Sequence, residues 1–372
     1  MNLPSSIYRA LLGLSGLCLL GFLFAWLAGH TIWIGPALSG TFLFLALAAR
    51  GFEAIKGFAF TFWIFASVAL AMSFPAQFTR AGDFEFRTLM TPLLQIIMFG
   101  MGTTMSLQDF AGVAKMPKGV LIGLLCQFTI MPFVGFSLAF SFGFPPEIAA
   151  GIILVGSSPS GLASNVMAYT AKANLALSIP LTAVATLLAP LMTPFLMDML
   201  AGTLVKIDVW KMMWDIVKMV ILPVIAGLAF HHLLSHRARW LEHLMPVVSM
   251  AGIVIIISII TALGRDNLLT MGPLLILACL IHNLAGYGLG YFACRLFRMD
   301  EKSCRTIALE VGLQNGGLAS TLANSLNKAA TVGLAPAVFG PLMNITGSTL
   351  ANFWRVRPVD EEEEGPIPQK NL

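Results

Sequence analysis

Glu310, Gln314 and Asn315, followed at once by Gly316-Gly317, sit in the middle of RTIALEVGLQNGGLASTLANSL (305–326), a stretch otherwise suited to crossing a lipid bilayer. A carboxylate at mid-bilayer costs about 2.5–3.5 kcal/mol on insertion scales, so it must be paired, protonated or bound to a cation. Glu310 and Gln314 are four apart and share one face of a helix. The glycine pair lets the backbone leave helical geometry there and turn its carbonyls toward a ligand. A carboxylate, an amide and free carbonyls are the oxygen ligands of a hard cation. Two readings stay open: an intramembrane cation site, or a Glu satisfied by a buried hydrogen bond. Ionisable groups inside membranes are functional by default, which favours the first.

A second stretch has the same character. In GIILVGSSPSGLASNVMAYT (151–170), Pro159 and Gly161 break the helical ladder among Ser157, Ser158, Ser160, Ser164 and Asn165. The next apolar stretch carries Ser178 and Thr182, four apart on one face around Pro180. Small hydroxyls also serve helix packing, at about 0.6 kcal/mol each, and that role suits Ser157 and Thr186. Ser164, Asn165, Ser178 and Thr182 lie beside helix breaks and read better as ligands. His282, next to Asn283, reads as a hydrogen-bonded core residue, and Lys218, near the end of its stretch, as a snorkelling one. No HExxH, Walker A, GxSxG or paired-His spacing is present, so an enzyme has no chemistry to rest on.

The elements that must position these groups follow from composition. With 57% hydrophobic and 11% charged residues over 372 positions, the chain is no ordinary soluble domain. Apolar runs of about 18–25 residues recur from end to end. Twelve spans are expected, at 8–29, 32–49, 58–78, 88–107, 119–141, 146–170, 173–200, 209–234, 245–263, 269–294, 303–326 and 333–354. The first has Arg9 before it, as a signal peptide would. It is long for an h-region and lacks a small-x-small cleavage site, so it reads as a retained span. With the N-terminus inside, cytoplasmic connections hold most of the Lys and Arg, among them Arg50, Lys115, Lys118, Arg237, Arg295, Arg298, Lys302, Arg355 and Lys370. The far side has Arg80, Arg87, Lys206, Lys211, Arg265 and Lys328. Both termini are therefore expected in the cytoplasm, the protein in the plasma membrane (the inner membrane of a bacterium). Cys18, Cys126, Cys279, Cys294 and Cys304 form no CxxC pattern and read as packed thiols. No basic stripe interleaved with aromatics suggests nucleic acid, and no obligate protein partner is evident beyond the lipid bilayer itself.

An internal repeat organises the chain. Val155-Gly156 followed by Gly161-Leu162-Ala163-Ser164 recurs 156 positions later as Val311-Gly312 followed by Gly317-Leu318-Ala319-Ser320, and the same shift lays Gln127 over Asn283. An odd number of spans separates equivalent positions, so the copies run oppositely through the membrane, and interrupted helices of inverted repeats meet at the midplane to form the site. The expected division is two extra N-terminal helices (1–57), a first repeat (58–200), a second (209–354) and an acidic cytoplasmic tail (355–372). The fold class is an all-α polytopic membrane protein.

LLQIIMFGMGTTMSLQDF (93–110), SSPSGLASNVMAYTAKANLALSIPLTAVATLLAPLMTP (157–194), HNLAGYGLGYF (282–292) and EVGLQNGGLA (310–319) together resemble the bile acid:sodium symporter family, over about residues 58–354. The resemblance implies two inverted five-helix repeats forming a core and a panel domain, and sodium-coupled uptake of organic anions. It implies a first sodium ion at Ser164, Asn165, Ser178, Thr182 and Glu310. It implies a second at Gln127, Glu310, Gln314 and the backbone carbonyls of Val311 and Leu313. Asn315 and Asn344 stand where the family contacts substrate in the crevice between core and panel. Leu162 replaces the threonine usual in the family's PGGTASN run, Ser160 replaces a glycine, and Met343 stands where some relatives have histidine. Loss of a hydroxyl beside the crossing removes a hydrogen bond to substrate and shifts selectivity, so a small carboxylate or keto acid is as well expected as a bile acid. The expected activity is sodium-driven symport of a monovalent organic anion by alternating access. The alternatives are a proton-coupled or sodium-independent exporter, and a non-transporting sensor.

Overall fold

The protein is described by a computed structural model, for residues 4–52, 55–234, 239–357 and 359. Hydrocarbon offers a backbone no water to bond, so an apolar chain satisfies its N–H and C=O groups within its own helices. The helices are α1 (Ser5–Leu27), α2 (Thr31–Ala49), α3 (Ala59–Ser73), α4 (Ala76–Thr79), α5 (Met90–Thr103), α6 (Leu107–Lys115), α7 (Pro117–Ser141), α8 (Pro146–Gly156), α9 (Leu162–Thr170), α10 (Leu175–Ala201), α11 (Val209–Ile216), α12 (Leu222–Leu234), α13 (Arg239–Leu263), α14 (Arg265–Leu296), α15 (Glu301–Gly312), α16 (Gly316–Ser325) and α17 (Leu334–Arg355). Among the described residues, eight helical stretches are long and apolar enough to cross a membrane. They are α1, α2, Lys56–Ser73, α7, α10, Val209–Leu233, Leu244–Leu263 and α14. The molecule is an all-α polytopic membrane protein.

Helix also covers the four other apolar stretches, each with a reason for falling short. α5 has 14 residues. α17 carries Asn344, Thr346, Ser348 and Asn352 among its apolar residues. Two stretches, 146–170 and 303–326, are each divided into a pair of half-helices. Two features were not anticipated. A two-stranded hairpin, β1 (Arg80–Ala81) with β2 (Phe84–Glu85), pairs Arg80 with Glu85. The other is α6, started by a capping box in which Ser106 N donates to the Asp109 carboxylate at 2.7 Å. Between α11 and α12 the helix widens into a π turn over Val217–Ile221, and Gln95 Nε2 donates to the Lys218 carbonyl there at 3.1 Å. The Lys218 side chain is exposed, in keeping with a snorkelling role.

Packing grades inward from the N-terminus. α1 exposes Leu17, Phe24, Trp26 and Leu27 and touches α2 through Ser15 Oγ, which donates to Thr41 O at 2.8 Å. α2 lies close on α3, because Gly35 leaves room that a Cβ would take from Ser73. By contrast, every residue of α15 from Ser303 to Gly312 is buried. Four of the five cysteines are buried and all are free thiols, as expected. Arg237, Lys370 and the acidic run from Asp360 lie outside the described residues.

Candidate cation site

The site is made where the two divided helices pass each other. α8 ends at Gly156 and α9 begins at Leu162; α15 ends at Gly312 and α16 begins at Gly316. The links between them run antiparallel. Asn315 N donates to Pro159 O at 2.8 Å, Gly161 N donates to Leu313 O at 3.0 Å, and Ser160 bridges Gln314. Helix ends leave backbone groups without partners, and here each link supplies them to the other. Pro159 has no N–H to lose, and a Cβ at Gly161 would meet the Gln314 carbonyl at 3.1 Å.

Two local expectations are corrected. The second break falls at Leu313–Asn315, ahead of Gly316-Gly317, which are the first residues of α16. Asn315 is the N-cap, its Oδ1 accepting from Leu318 N at 3.0 Å, and a capping side chain marks a helix start more strongly than glycine marks a stop. Nor do Glu310 and Gln314 share a helical face. α15 ends at Gly312 and Leu313 is extended, so Gln314 belongs to the link and its side chain meets Gln127.

The first group is rich in oxygen and short of protons. Ser178 Oγ lies 2.5 Å from Glu310 Oε1 and 2.7 Å from Asn165 Oδ1. Thr182 Oγ1 lies 3.0 and 2.8 Å from the two Glu310 oxygens and 3.2 Å from Asn165 Oδ1. Ser164 Oγ donates to Gly161 O at 2.7 Å and lies 3.3 Å from Thr182 Oγ1. A hydroxyl has one proton, so Ser178 can donate to Glu310 or to Asn165 and not to both. With Glu310 ionised and Asn165 Oδ1 facing Ser178, one close oxygen pair has no proton between its lone pairs, and a cation bound beside the pair would draw on both. Glu310, Ser164, Ser178 and Thr182 are all buried, and Asn165 is half-buried. An all-oxygen shell with one carboxylate fits a hard monovalent cation.

The second group is tied up by amides. Gln127 Nε2 donates to Gln314 Oε1 at 2.9 Å and to Ser158 O at 3.0 Å, and Gln314 Nε2 donates to Val311 O at 2.6 Å. Leu313 O accepts from Gly161 N, which leaves it one lone pair. Gln127 Oε1 is buried without a hydrogen-bond partner, and leaving such an atom unsatisfied costs about 1–3 kcal/mol. A half-turn of the Gln127 amide would bring its Oε1 beside Gln314 Oε1 and Ser158 O and make this a second oxygen set.

The three residues expected at substrate flank the crossing: a Cβ at Gly161, next to Leu162, would lie 3.5 Å from Asn315 Cα, and one at Gly316, next to Asn315, 3.9 Å from Gly340 Cα. Leu162 opens α9, half-buried. Asn315 caps α16, and Asn344 Nδ2 donates to Gly340 O of its own helix at 2.9 Å. His282 Nε2 pairs with Met131 O at 2.9 Å, the core role expected of it.

Several positioning groups escaped the sequence reading. Asn174 caps α10 and fastens the α9–α10 link onto the first two turns of α15: its N donates to Thr306 Oγ1 at 2.9 Å and its Nδ2 to Ser303 Oγ at 3.2 Å. That clasp sets Ser178 against Glu310. Asn283 Nδ2 donates to Gly312 O at 2.8 Å, and Thr346 Oγ1 of α17 donates to Asn283 Oδ1 at 2.5 Å, so α14 and α17 hold the end of α15. The Gln127–Asn283 repeat pairing was a signal for Asn283; Thr346, one of several polar residues of α17, had none.

Residues 91–271 match the model of the sodium bile acid symporter family. That segment contains Gln127, Ser164, Asn165, Ser178 and Thr182 and stops short of Glu310. The chain is 40% identical over 305 residues, 82% of its length, to the uncharacterized sodium-dependent transporter YocS of Bacillus subtilis (strain 168), 93% of which is covered. It is 35% identical to the probable chloroplastic sodium/metabolite cotransporter BASS1 of Arabidopsis thaliana, over 70% of this chain and 65% of that one. To the human ileal sodium/bile acid cotransporter it is 32% identical, over 63% of this chain and 68% of that one. These relatives are named as transporters, not as enzymes.

Proposed function

The chain belongs to the sodium bile acid symporter family, a family of sodium-dependent transporters, and we propose that it imports a monovalent organic anion together with two sodium ions by alternating access. The observation that carries this is the proton-poor oxygen nest around Glu310, held between two divided helices that brace each other at their breaks. Ser164, Asn165, Ser178, Thr182 and Glu310 hold the first ion. Gln127, Gln314, Glu310 and the carbonyls of Val311 and Leu313 hold the second, after the Gln127 amide turns. Sodium neutralises Glu310 and links α10 and α15 through shared ligands, which orders the crossing for substrate.

The anion binds beside Asn315, Asn344 and Leu162, where the N-terminal ends of α9 and α16 favour negative charge. Leu162 offers it no hydroxyl, which favours a small carboxylate or keto acid over a bile acid. Two sodium ions with one anion carry one net charge inward, and a potential of 100 mV then adds about 2.3 kcal/mol per cycle. The twelve helical stretches are read as twelve spans with both termini in the cytoplasm, residues 58–200 and 209–354 being inverted repeats that contribute to a moving core and a fixed panel. The pairing of the two breaks across an antiparallel crossing supports that repeat.

The test is uptake of radiolabelled carboxylates into proteoliposomes with an inward sodium gradient, a potassium gradient or a pH step. Sodium-driven accumulation is expected. Equal rates in sodium and potassium remove the coupling, and accumulation on a pH step alone replaces sodium by protons.

A further inference from the structure

Ser160 lies at the crossing, and its side chain has no partner there. Its backbone is fastened on both sides, through Pro159 O to Asn315 N and through Gly161 N to Leu313 O, while Ser160 itself bridges Gln314. The side chain held there lies beside the Glu310 carboxylate. The hydroxyl is buried, 1% exposed, and makes no hydrogen bond of ordinary geometry.

Ser157 Oγ, just past the end of α8, is likewise buried without a partner, but Ser158 and Ser164 behave differently. Ser158 Oγ donates to Leu154 O at 2.8 Å and Ser164 Oγ to Gly161 O at 2.7 Å, each satisfied by a carbonyl of its own turn. Ser160 lies between helices and has no such carbonyl. A buried hydroxyl left without a partner is unfavourable and calls for an explanation. A cation bound to the neighbouring Glu310 carboxylate would supply the missing partner, since a hydroxyl oxygen offers it a lone pair.

We propose that Ser160 Oγ is a further ligand of the cation bound at Glu310, contributed by the link between α8 and α9. The proposal rests on the sodium-site reading above. It places an oxygen from the α8–α9 link, two from α9, two from α10 and the carboxylate of α15 around one ion. The ion then braces the crossing itself as well as the helices flanking it.

The experiment is a sodium titration of the purified full chain, reading the thermal midpoint in NaCl against choline chloride at constant ionic strength. Ser160→Ala should match the parent midpoint in choline and need about tenfold more sodium for half of the shift, which is 1.4 kcal/mol of binding. If Ser160→Ala does not fold, Ser160→Gly removes the same hydroxyl and carries the same expectation. Thr182→Val, which removes a ligand from the same nest, is the reference. A parent-like titration for Ser160→Ala beside a shifted one for Thr182→Val overturns the proposal and leaves the site intact. Parent-like titrations for both, and for Glu310→Gln, overturn the site itself.

Discussion

The two oxygen sets proposed to share Glu310 are chemically unlike. Around Ser164, Asn165, Ser178 and Thr182, close oxygen–oxygen contacts outnumber the hydroxyl protons that could fill them: oxygens crowd within 2.5–3.3 Å. Around Gln127 and Gln314 the amide N–H groups already answer the neighbouring carbonyls, and one oxygen, Gln127 Oε1, is left over. The first set gains from an ion as it stands. The second must break amide hydrogen bonds before it can accept one. In the proposed arrangement a single carboxylate serves a set that is ready and a set that must be remade, and this predicts ions that bind in sequence.

The largest test removes what the sets share. Glu310→Ala should lower sodium-driven uptake in proteoliposomes by at least a hundredfold with the protein still inserted. Uptake at the parent rate would detach both sets from function. Next, Thr182→Val should raise the sodium needed for half-maximal thermal stabilisation by about tenfold, the loss of one charge-assisted hydrogen-bonding oxygen at about 1.5 kcal/mol. Gln127→Ala should act on the second ion alone, lowering the Hill coefficient of sodium activation from near two toward one while stabilisation by sodium persists. If Gln127→Ala abolishes stabilisation and Thr182→Val spares it, the order is the reverse.

Smaller effects probe how the break is held. Thr346→Val leaves Asn283 Oδ1 without its 2.5 Å donor and should destabilise by about 1–3 kcal/mol, read as a lower thermal midpoint in choline, with Thr346→Ser near the parent. The glycines divide sharply. At Gly156 a Cβ would lie 2.3 Å from Met131 O, and Gly156→Ala should prevent a stable fold. At Gly316 the nearest atom is Pro336 O at 3.6 Å, so Gly316→Ala, at the start of a helix, should change stability by less than about 0.5 kcal/mol. A severe Gly316→Ala phenotype would return the glycine pair to the role first read for it.

Residues 303–326 mark the limit of what patterning reveals. Apolar length placed a helix there, and one carboxylate in such a helix placed a site. The break could not be located the same way. Glycine raises the chance of an interruption, but the side chain of Asn315 and the pairing of Asn315 N with Pro159 O decide where it falls. A contact across 156 positions has no local signature. The same holds for Asn174, whose capping role was readable but whose grip on Ser303 and Thr306 was not.

By itself the sequence determined that the chain is helical and lives in lipid, since hydrophobic runs of spanning length have no other stable form, and that Glu310 needs partners, since an isolated carboxylate there is too costly. Only the tertiary structure decided which partners. Coordination depends on oxygens from α9, α10 and α15 converging within about 3 Å, and that convergence is set by the antiparallel crossing and the clasps that hold it, which are contacts between residues distant in the chain.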